Sequence, residues 1–270
     1  RETEGIVVDR VAAPERAGDL KGITKVLSVV PIATIQSLQF IDLVAQHFAC
    51  NPWDLIRSAI PPRVAAVDKV FLSAEPDAQK GSKAAIEFHV LAPFTQAHEQ
   101  LVPLVTAHQK AGSILIVAPD EKDVDLVIAS LGSAALSPLK LTAALTREER
   151  YRNYLLAMHG SNSIVVGTRS AIFAPIRNLA TVIVHKESSH DHYEIRSPGW
   201  NTRTVALLRS EFQSLKLILT GFSPSIEVSQ LIDERKVKYL NSKENVNVKA
   251  FTPSEGALLP GRIFGDIKKA

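Results

Sequence analysis

An α/β architecture with a doubly wound, parallel sheet is the fold class this sequence predicts. Short apolar, β-branched runs alternate with helical segments from residue 85 to about 243, the pattern of strands buried on both faces with crossover helices between them. The two clearest runs, Ile164-Val165-Val166 and Thr181-Val182-Ile183-Val184, run into polar residues, Thr168-Arg169-Ser170 and His185-Lys186-Glu187-Ser188. Ligands of open α/β sheets gather at that end of the strands. The third observation is compositional: 46% apolar and 22% charged residues in 270 are ordinary globular values. The length exceeds a usual single domain, so one large core with a smaller companion is expected.

The elements follow in chain order. Ile35, Leu38, Ile41, Leu43, Val44 and Phe48 recur at near-helical spacing behind Thr34, which predicts a capped helix over 34–48. Asn51 as cap and Pro52 at the first helical position announce a second helix, with Trp53, Leu55, Ile56 and Ala59 on one face and Pro61-Pro62 as its stop. The tight Cys50-Asn51-Pro52 corner makes the pair a helix-turn-helix-like unit. Trp53 is read as a core anchor rather than a stacking platform, and Cys50 as a small buried apolar residue on a helix. From Ala66 to Lys83 the pattern weakens into a linker, with Glu75-Pro76-Asp77 and Lys80-Gly81-Ser82-Lys83.

Beyond it, strands are expected at 86–91, 113–118, 140–143, 164–166, 181–184 and 215–219. Helices are expected at about 95–110, 123–131, 147–159 (capped by Thr146) and 201–211. The stretch from Asn245 to Ala270, with Pro253, Gly256, Pro260 and Gly261, lacks a period and reads as a connection leading out of the domain. The chain opens on Arg1 and holds one methionine, so it is expected to be a piece of a longer polypeptide.

Composition excludes some chemistry. The lone Cys50 leaves no internal disulfide and no multi-cysteine zinc site within this chain. The sequence has no unbroken apolar run of membrane-spanning length and no basic-then-apolar leader, so no membrane partner is expected and a cytoplasmic location is. A net charge of +3, spread along the chain, is compatible with a nucleic-acid partner without establishing one.

The strand ends carry the functional argument. A phosphate-gripping loop is written G-x-x-x-x-G-K-[ST], with glycines that let backbone N–H groups approach the anion. Here the first strand of the domain runs into Ala92-Pro93-Phe94-Thr95-Gln96-Ala97, and Gly81-Ser82-Lys83 precedes that strand in the wrong order. A magnesium site would need an Asp at the end of the Thr181–Val184 run; His185 and Lys186 stand there, and Glu187 alone does not repair the loss. Thr95, His185, Lys186 and Glu187 are thus degenerate nucleotide and metal positions. His185, His190, Asp191 and His192 read as a polar, solvated loop rather than a metal cluster, since neither H-E-x-x-H spacing nor an assisting cysteine is present. Gly167-Thr168-Arg169-Ser170 is not G-x-S-x-G, so no catalytic nucleophile is expected. Thr168 and Arg169 are candidates to contact a nucleic-acid backbone, with pairing of Arg169 to a carboxylate equally open. Arg57 and Arg63 are candidate phosphate contacts, set against an ordinary solvated face.

Several of these segments, in this order and spacing, resemble the PriA family of bacterial replication-restart proteins, also called primosomal protein N′. They are Val26-Leu27-Ser28 through Pro61-Pro62-Arg63, Ile114-Leu115-Ile116-Val117-Ala118-Pro119, Arg147-Glu148-Glu149-Arg150, Val166-Gly167-Thr168-Arg169-Ser170-Ala171-Ile172-Phe173, and Leu217-Ile218-Leu219-Thr220-Gly221-Phe222-Ser223-Pro224-Ser225. The resemblance implies the end of an N-terminal DNA-binding domain over 1–24, a small winged-helix domain over 25–65 and a linker over 66–84. It implies a RecA-like, P-loop NTPase-type helicase lobe with a degenerate nucleotide site over 85–243. Residues 244–270 would lead toward a second lobe, where the family's zinc cysteines would lie; no cofactor is expected in this fragment. The family's helicases carry a glycine-lysine phosphate loop, an Asp-Glu-Glu-His box and a Ser-Ala-Thr-Pro motif. Here those places read Ala92 to Ala97, His185-Lys186-Glu187-Ser188 and Thr220-Gly221-Phe222-Ser223-Pro224. This is similar to the degenerate actinobacterial branch without helicase motifs.

The function expected is therefore recognition of forked or branched DNA and support of primosome assembly, without ATP hydrolysis. Other primosome proteins and single-strand-binding proteins would be partners, in a cytoplasmic, nucleoid-associated setting. The alternatives are an ATP-dependent DNA helicase with altered motifs and an unrelated small-molecule-binding α/β domain.

Overall fold

The computed structural model describes residues 30–71, 84–160 and 164–242, with positions 5–7, 12, 18, 22–28, 263, 265 and 268 besides. Most of the stretch read as an outgoing connection, and residues 72–83 of the linker, lie outside the described residues.

Three helices come first: α1 (Ile35–His47), α2 (Pro52–Ala59) and the single turn α3 (Ala65–Asp68). Local chemistry sets their starts. The Thr34 hydroxyl accepts from Ser37 N while the Ser37 hydroxyl accepts from Thr34 N, a reciprocal cap, and Asn51 Oδ1 accepts from Trp53 N ahead of Pro52. The α/β part follows as β1 (Ala85–Val90), α4 (Leu101–His108), β2 (Ser113–Val117), α5 (Glu121–Ser133), β3 (Leu139–Leu141), α6 (Arg147–His159), β4 (Ile164–Gly167) and β5 (Leu179–Val184). A small antiparallel pair, β6 (Tyr193–Glu194) and β7 (Trp200–Asn201), precedes α7 (Thr202–Gln213), β8 (Lys216–Gly221), α8 (Ile226–Asp233) and β9 (Lys238–Leu240).

The main sheet has seven strands in the order β3-β4-β2-β5-β8-β1-β9, with every pairing parallel. Period-two alternation splits its side chains between two cores. Ile114, Ile116, Val166, Ile183 and Ile218 face α4 and α5, where Leu101, Val105, Val124, Val127 and Leu131 meet them. Leu115, Val117, Val165, Val182, Val184, Leu217 and Leu219 face the other way, toward α6 and α7. The seven parallel strands covered on both faces form a doubly wound α/β lobe.

Helices α1–α3 share that second core. Phe40 of α1 lies 6.1 Å from the Phe173 ring and 6.0 Å from Phe212 on α7, and the fully buried Arg209 guanidinium sits 5.7 Å from its centroid. Arg209 donates to the carbonyls of Ile172 and Ala174 and to Gln213 Oε1, so its charge meets acceptors on three sides. Asp68 accepts from the Tyr151 hydroxyl at 2.7 Å and pairs with Arg63 at 2.6 Å, tying α3 to α6.

Several expectations change here. Residues 66–71 are not linker: α3 ends there, and Val67, Asp68 and Phe71 are buried. The helix expected from residue 95 begins at Leu101, because Pro93 and a side-chain clasp from Gln100 hold 92–95 in an extended turn. Trp53 is 42% exposed, since the buried face of α2 is Leu55, Ile56 and Ala59. Cys50 lies in the corner after α1, only partly covered, and burial pushes its thiol pKa upward. Elements α8 and β9 lacked a separate signal because each is short.

Candidate nucleotide and nucleic-acid site

In a parallel sheet all C-terminal strand ends share one edge, so the loops after β1, β2, β4, β5 and β8 converge. Strand β8 lies between β1 and β5, which sets the latter two about 10 Å apart. The sequence-predicted positions Thr95, His185, Lys186 and Glu187 therefore come to a single edge.

After β1, the Gln100 carboxamide is folded into the loop. Its Oε1 accepts from Ala92 N at 2.7 Å, and its Nε2 donates to the carbonyls of Ala92 and Thr95, each at 2.9 Å. The Ala92 N–H, the group there from which a phosphate oxygen would accept, is thereby bonded within the chain.

After β5, His185 is fully buried rather than solvated, which corrects the loop reading. Its backbone N donates to Val117 O, and its Nδ1 lies 3.1 Å from the Thr220 hydroxyl of β8. His192, also fully buried, donates from Nε2 to His185 O at 2.8 Å. Burial, with Lys186 charge adding to it, pushes the His185 pKa down to about 3; burial, with Arg169 and Arg203 adding to it, pushes His192 down to about 4. Both rings are neutral at physiological pH. The unfolded chain takes up protons near pH 6.5 and the folded one does not, so stability is full above that pH and falls as pH drops toward about 4. Denaturant unfolding from pH 7.5 to 4.5 should show this loss, and His185→Asn should flatten it by about one proton; an unchanged slope would refute the assignment.

Lys186 adopts a left-handed backbone (φ 50) at the turn and sends its ammonium to Asp123 of α5, 2.7 and 3.0 Å from the two carboxylate oxygens. Glu187 points the other way. Fully buried, it accepts from Arg203 Nη1 at 2.9 Å, Ser225 N at 2.7 Å and the Ser225 hydroxyl at 3.0 Å, while Arg203 also reaches Glu227 at 2.7 Å. Ser225 caps α8, so this network joins β5, α7 and α8. Beside it opens a shallow polar pocket of about 310 Å³ lined by Ser188, Ser189, His190 and Tyr193 among others.

The helicase-lobe resemblance carried by the sequence implies a magnesium-bound nucleotide at this edge, and the residues present do not fit one. An ammonium sits on Asp123, Glu187 is consumed by an arginine, and the loop after β1 is bonded to a carboxamide. Among the described residues, no group of three or more His, Cys, Asp or Glu side chains is arranged to hold a metal ion.

The nucleic-acid candidates fall on adjoining elements. Thr168 follows β4, whose last residue Gly167 must lack a side chain, since a Cβ there would lie 2.3 Å from Leu141 O and 2.6 Å from Ala171 Cβ. Arg169 donates to Asp191 O at 2.8 Å and pairs with Glu194 at 3.2 Å, so the carboxylate pairing is present and its guanidinium is one-third exposed. Arg57 is exposed on α2, which packs against the 3-10 turn Arg169–Phe173. Arg63 is held by Asp68, and its carbonyl accepts from Arg147 at 2.7 Å. The start of α5, by contrast, is acidic: Asp120, Glu121 and Asp123 occupy its first turn and cap. Sequence reasoning missed Gln100, Asp123 and Arg203, whose roles depend on partners 8, 63 and 16 residues away. Only Asp120 left a signal, as a cap following Pro119.

Residues 1–61 match the family model of the PriA 3'DNA-binding domain. The chain is 28% identical over 261 residues to the probable replication restart protein PriA of Mycobacterium tuberculosis, covering 86% of this chain and 39% of that one. The Mycobacterium leprae protein of the same name is 26% identical over 260 residues, covering 86% and 40%. The chain is thus similar to PriA replication restart proteins over most of its length. It spans about two-fifths of the length of these PriA relatives. A shorter match links it to the PriA of Thermotoga maritima, 25% identical over 146 residues, 53% of this chain and 20% of that one. Among solved structures, the C-terminal domain of the DEAD-box protein Dbp5 superposes at a TM-score of 0.46 with 13% identity, covering 60% of this chain and 93% of that one. The E. coli DExH-box NTPase HrpB gives 0.41 with 14% identity, covering 56% and 20%. Among the described residues no helix is long and apolar enough to cross a membrane.

Proposed function

We propose that this chain is a DNA-binding part of a replication-restart protein, one that recognises forked or branched DNA and supports primosome assembly without hydrolysing ATP. The observation that carries the reading is the match of residues 1–61 to a 3'DNA-binding domain in a chain whose following lobe is a parallel, doubly wound α/β sheet. The lobe's strand-end groups support the second half of the proposal: Lys186 is paired with Asp123, Glu187 with Arg203, and Gln100 clasps the loop after β1. DNA would be met by the match region and by the surface where α2 adjoins the Thr168-Arg169 turn. Arg57 is the clearest contact there, being exposed, while Arg63 and Arg169 would have to share their charge with Asp68 and Glu194. Other primosome proteins and single-strand-binding proteins are the protein partners proposed.

The deciding experiment is binding of forked and linear DNA across a salt series, with and without ATP, alongside a DNA-stimulated ATPase assay. Forked-DNA affinity should fall steeply with salt, remain unchanged by nucleotide, and lose about one unit of salt slope in Arg57→Ala. Affinity insensitive to salt, or equal for the two DNAs, would sink the DNA reading. ATP turnover abolished by substitution of Glu187 would favour a helicase with altered motifs instead.

A further inference from the structure

The misfit between a magnesium-bound nucleotide and this strand edge has a physical form of its own. We infer that the edge is self-liganded: Lys186 acts as a tethered cation in place of the divalent ion, and Gln100 as a tethered amide in place of phosphate. This rests on the reading of the lobe as nucleotide-independent, and deepens it.

Three observations carry the inference. The Lys186 ammonium bonds both oxygens of Asp123 at 2.7 and 3.0 Å, so the carboxylate in the first turn of α5 is already held by a cation. Gln100 saturates the amide N–H and carbonyl of Ala92, together with Thr95 O, in one planar group that offers both a donor and an acceptor. Between these two, the carboxylate of Glu187 is turned away from the crevice into Arg203 and Ser225. Asp123, Glu187 and the Ala92 N–H therefore already have internal partners, and a ligand recruiting them would have to displace a pre-formed intramolecular contact. The edge is closed by side chains rather than merely stripped of motifs. The lobe keeps one conformation whatever the nucleotide present, which suits a scaffold.

The test is thermal unfolding of the full 270-residue chain, with MgCl2 alone and with ATP plus MgCl2. The parent chain should show no shift in Tm with either addition. Lys186→Met and Gln100→Ala should each lower Tm by roughly 2–6 °C, because each leaves buried or half-buried partners unbonded. Lys186→Glu would face Asp123 with a second carboxylate. It should be less stable than Lys186→Met without metal and recover on addition of MgCl2, a response the parent lacks. A rise in parental Tm with MgCl2 or with ATP plus MgCl2 overturns the inference, as do Lys186→Met and Gln100→Ala melting with the parent. Should Lys186→Glu not fold, the parental response and the two milder variants still decide. DNA binding is measured separately, so a chain that ignores nucleotide yet fails to bind forked DNA would defeat the DNA reading and leave this one standing.

Discussion

Glu187→Ala should cost about 3–5 kcal/mol of folding stability, the scale for removing one partner of a buried ion pair. The carboxylate is fully buried and is the shared acceptor for Arg203 Nη1, Ser225 N and Ser225 Oγ. Its removal leaves Arg203, a residue only 7% exposed, with only the largely solvent-exposed Glu227 as counter-charge, and loosens the Ser225 cap of α8. Glu187→Gln keeps an acceptor for Ser225 N and should cost less. Urea unfolding monitored by circular dichroism measures both. If both variants unfold with the parent while a DNA-stimulated ATPase is lost, Glu187 is a catalytic acid and its structural role is refuted.

Phe40→Ala should be comparably damaging, about 3–5 kcal/mol, because a large aromatic is deleted from a site with no slack. Phe40 is 2% exposed and lies between Phe173 and Phe212, under the guanidinium of Arg209. Burial already holds the Arg209 pKa down to about 9, and emptying the space beneath it would leave that charge over a cavity. The loss should fall on both parts of the chain together. Trp53 reports from α2, and Trp200, 5.0 Å from the Phe173 ring, reports from the lobe. Single-tryptophan versions should unfold at the same urea concentration and shift together in Phe40→Ala. Two separate transitions would mean that α1–α3 form an independent unit.

The parallel sheet was legible because its strands are buried on both sides, and burial on both sides selects continuous β-branched runs such as Ile164-Val165-Val166. Caps were equally readable: Thr146 ahead of α6 and Asn51 with Pro52 are local devices, although the Glu149 side of the Thr146 cap shows only in the structure. The apolar period of α1 predicted a helix but overlooked Phe40 as its anchor, since Ile35, first on the expected face, is 77% exposed. The site was legible in identity and not in pairing. That His185 and Lys186 stand where acids are expected is visible in sequence; that Lys186 reaches Asp123 and Glu187 reaches Arg203 depends on crossovers bringing α5 and α7 to the same strand ends. The His185 ring illustrates the same limit: a polar residue just past a strand reads as solvated, until the His192 turn folds over it.

The position of β1 also bears on how the chain is made. Both strands that flank it, β8 and β9, come from beyond residue 215. As the polypeptide leaves the ribosome, β2 to β5 can assemble early, whereas β1 waits with its edges unpaired until β8 and β9, residues 216–240, have emerged. Any nascent chain halted before β8 would carry Phe88, fully buried in the finished sheet, on an open edge, and would be a target for chaperones or aggregation.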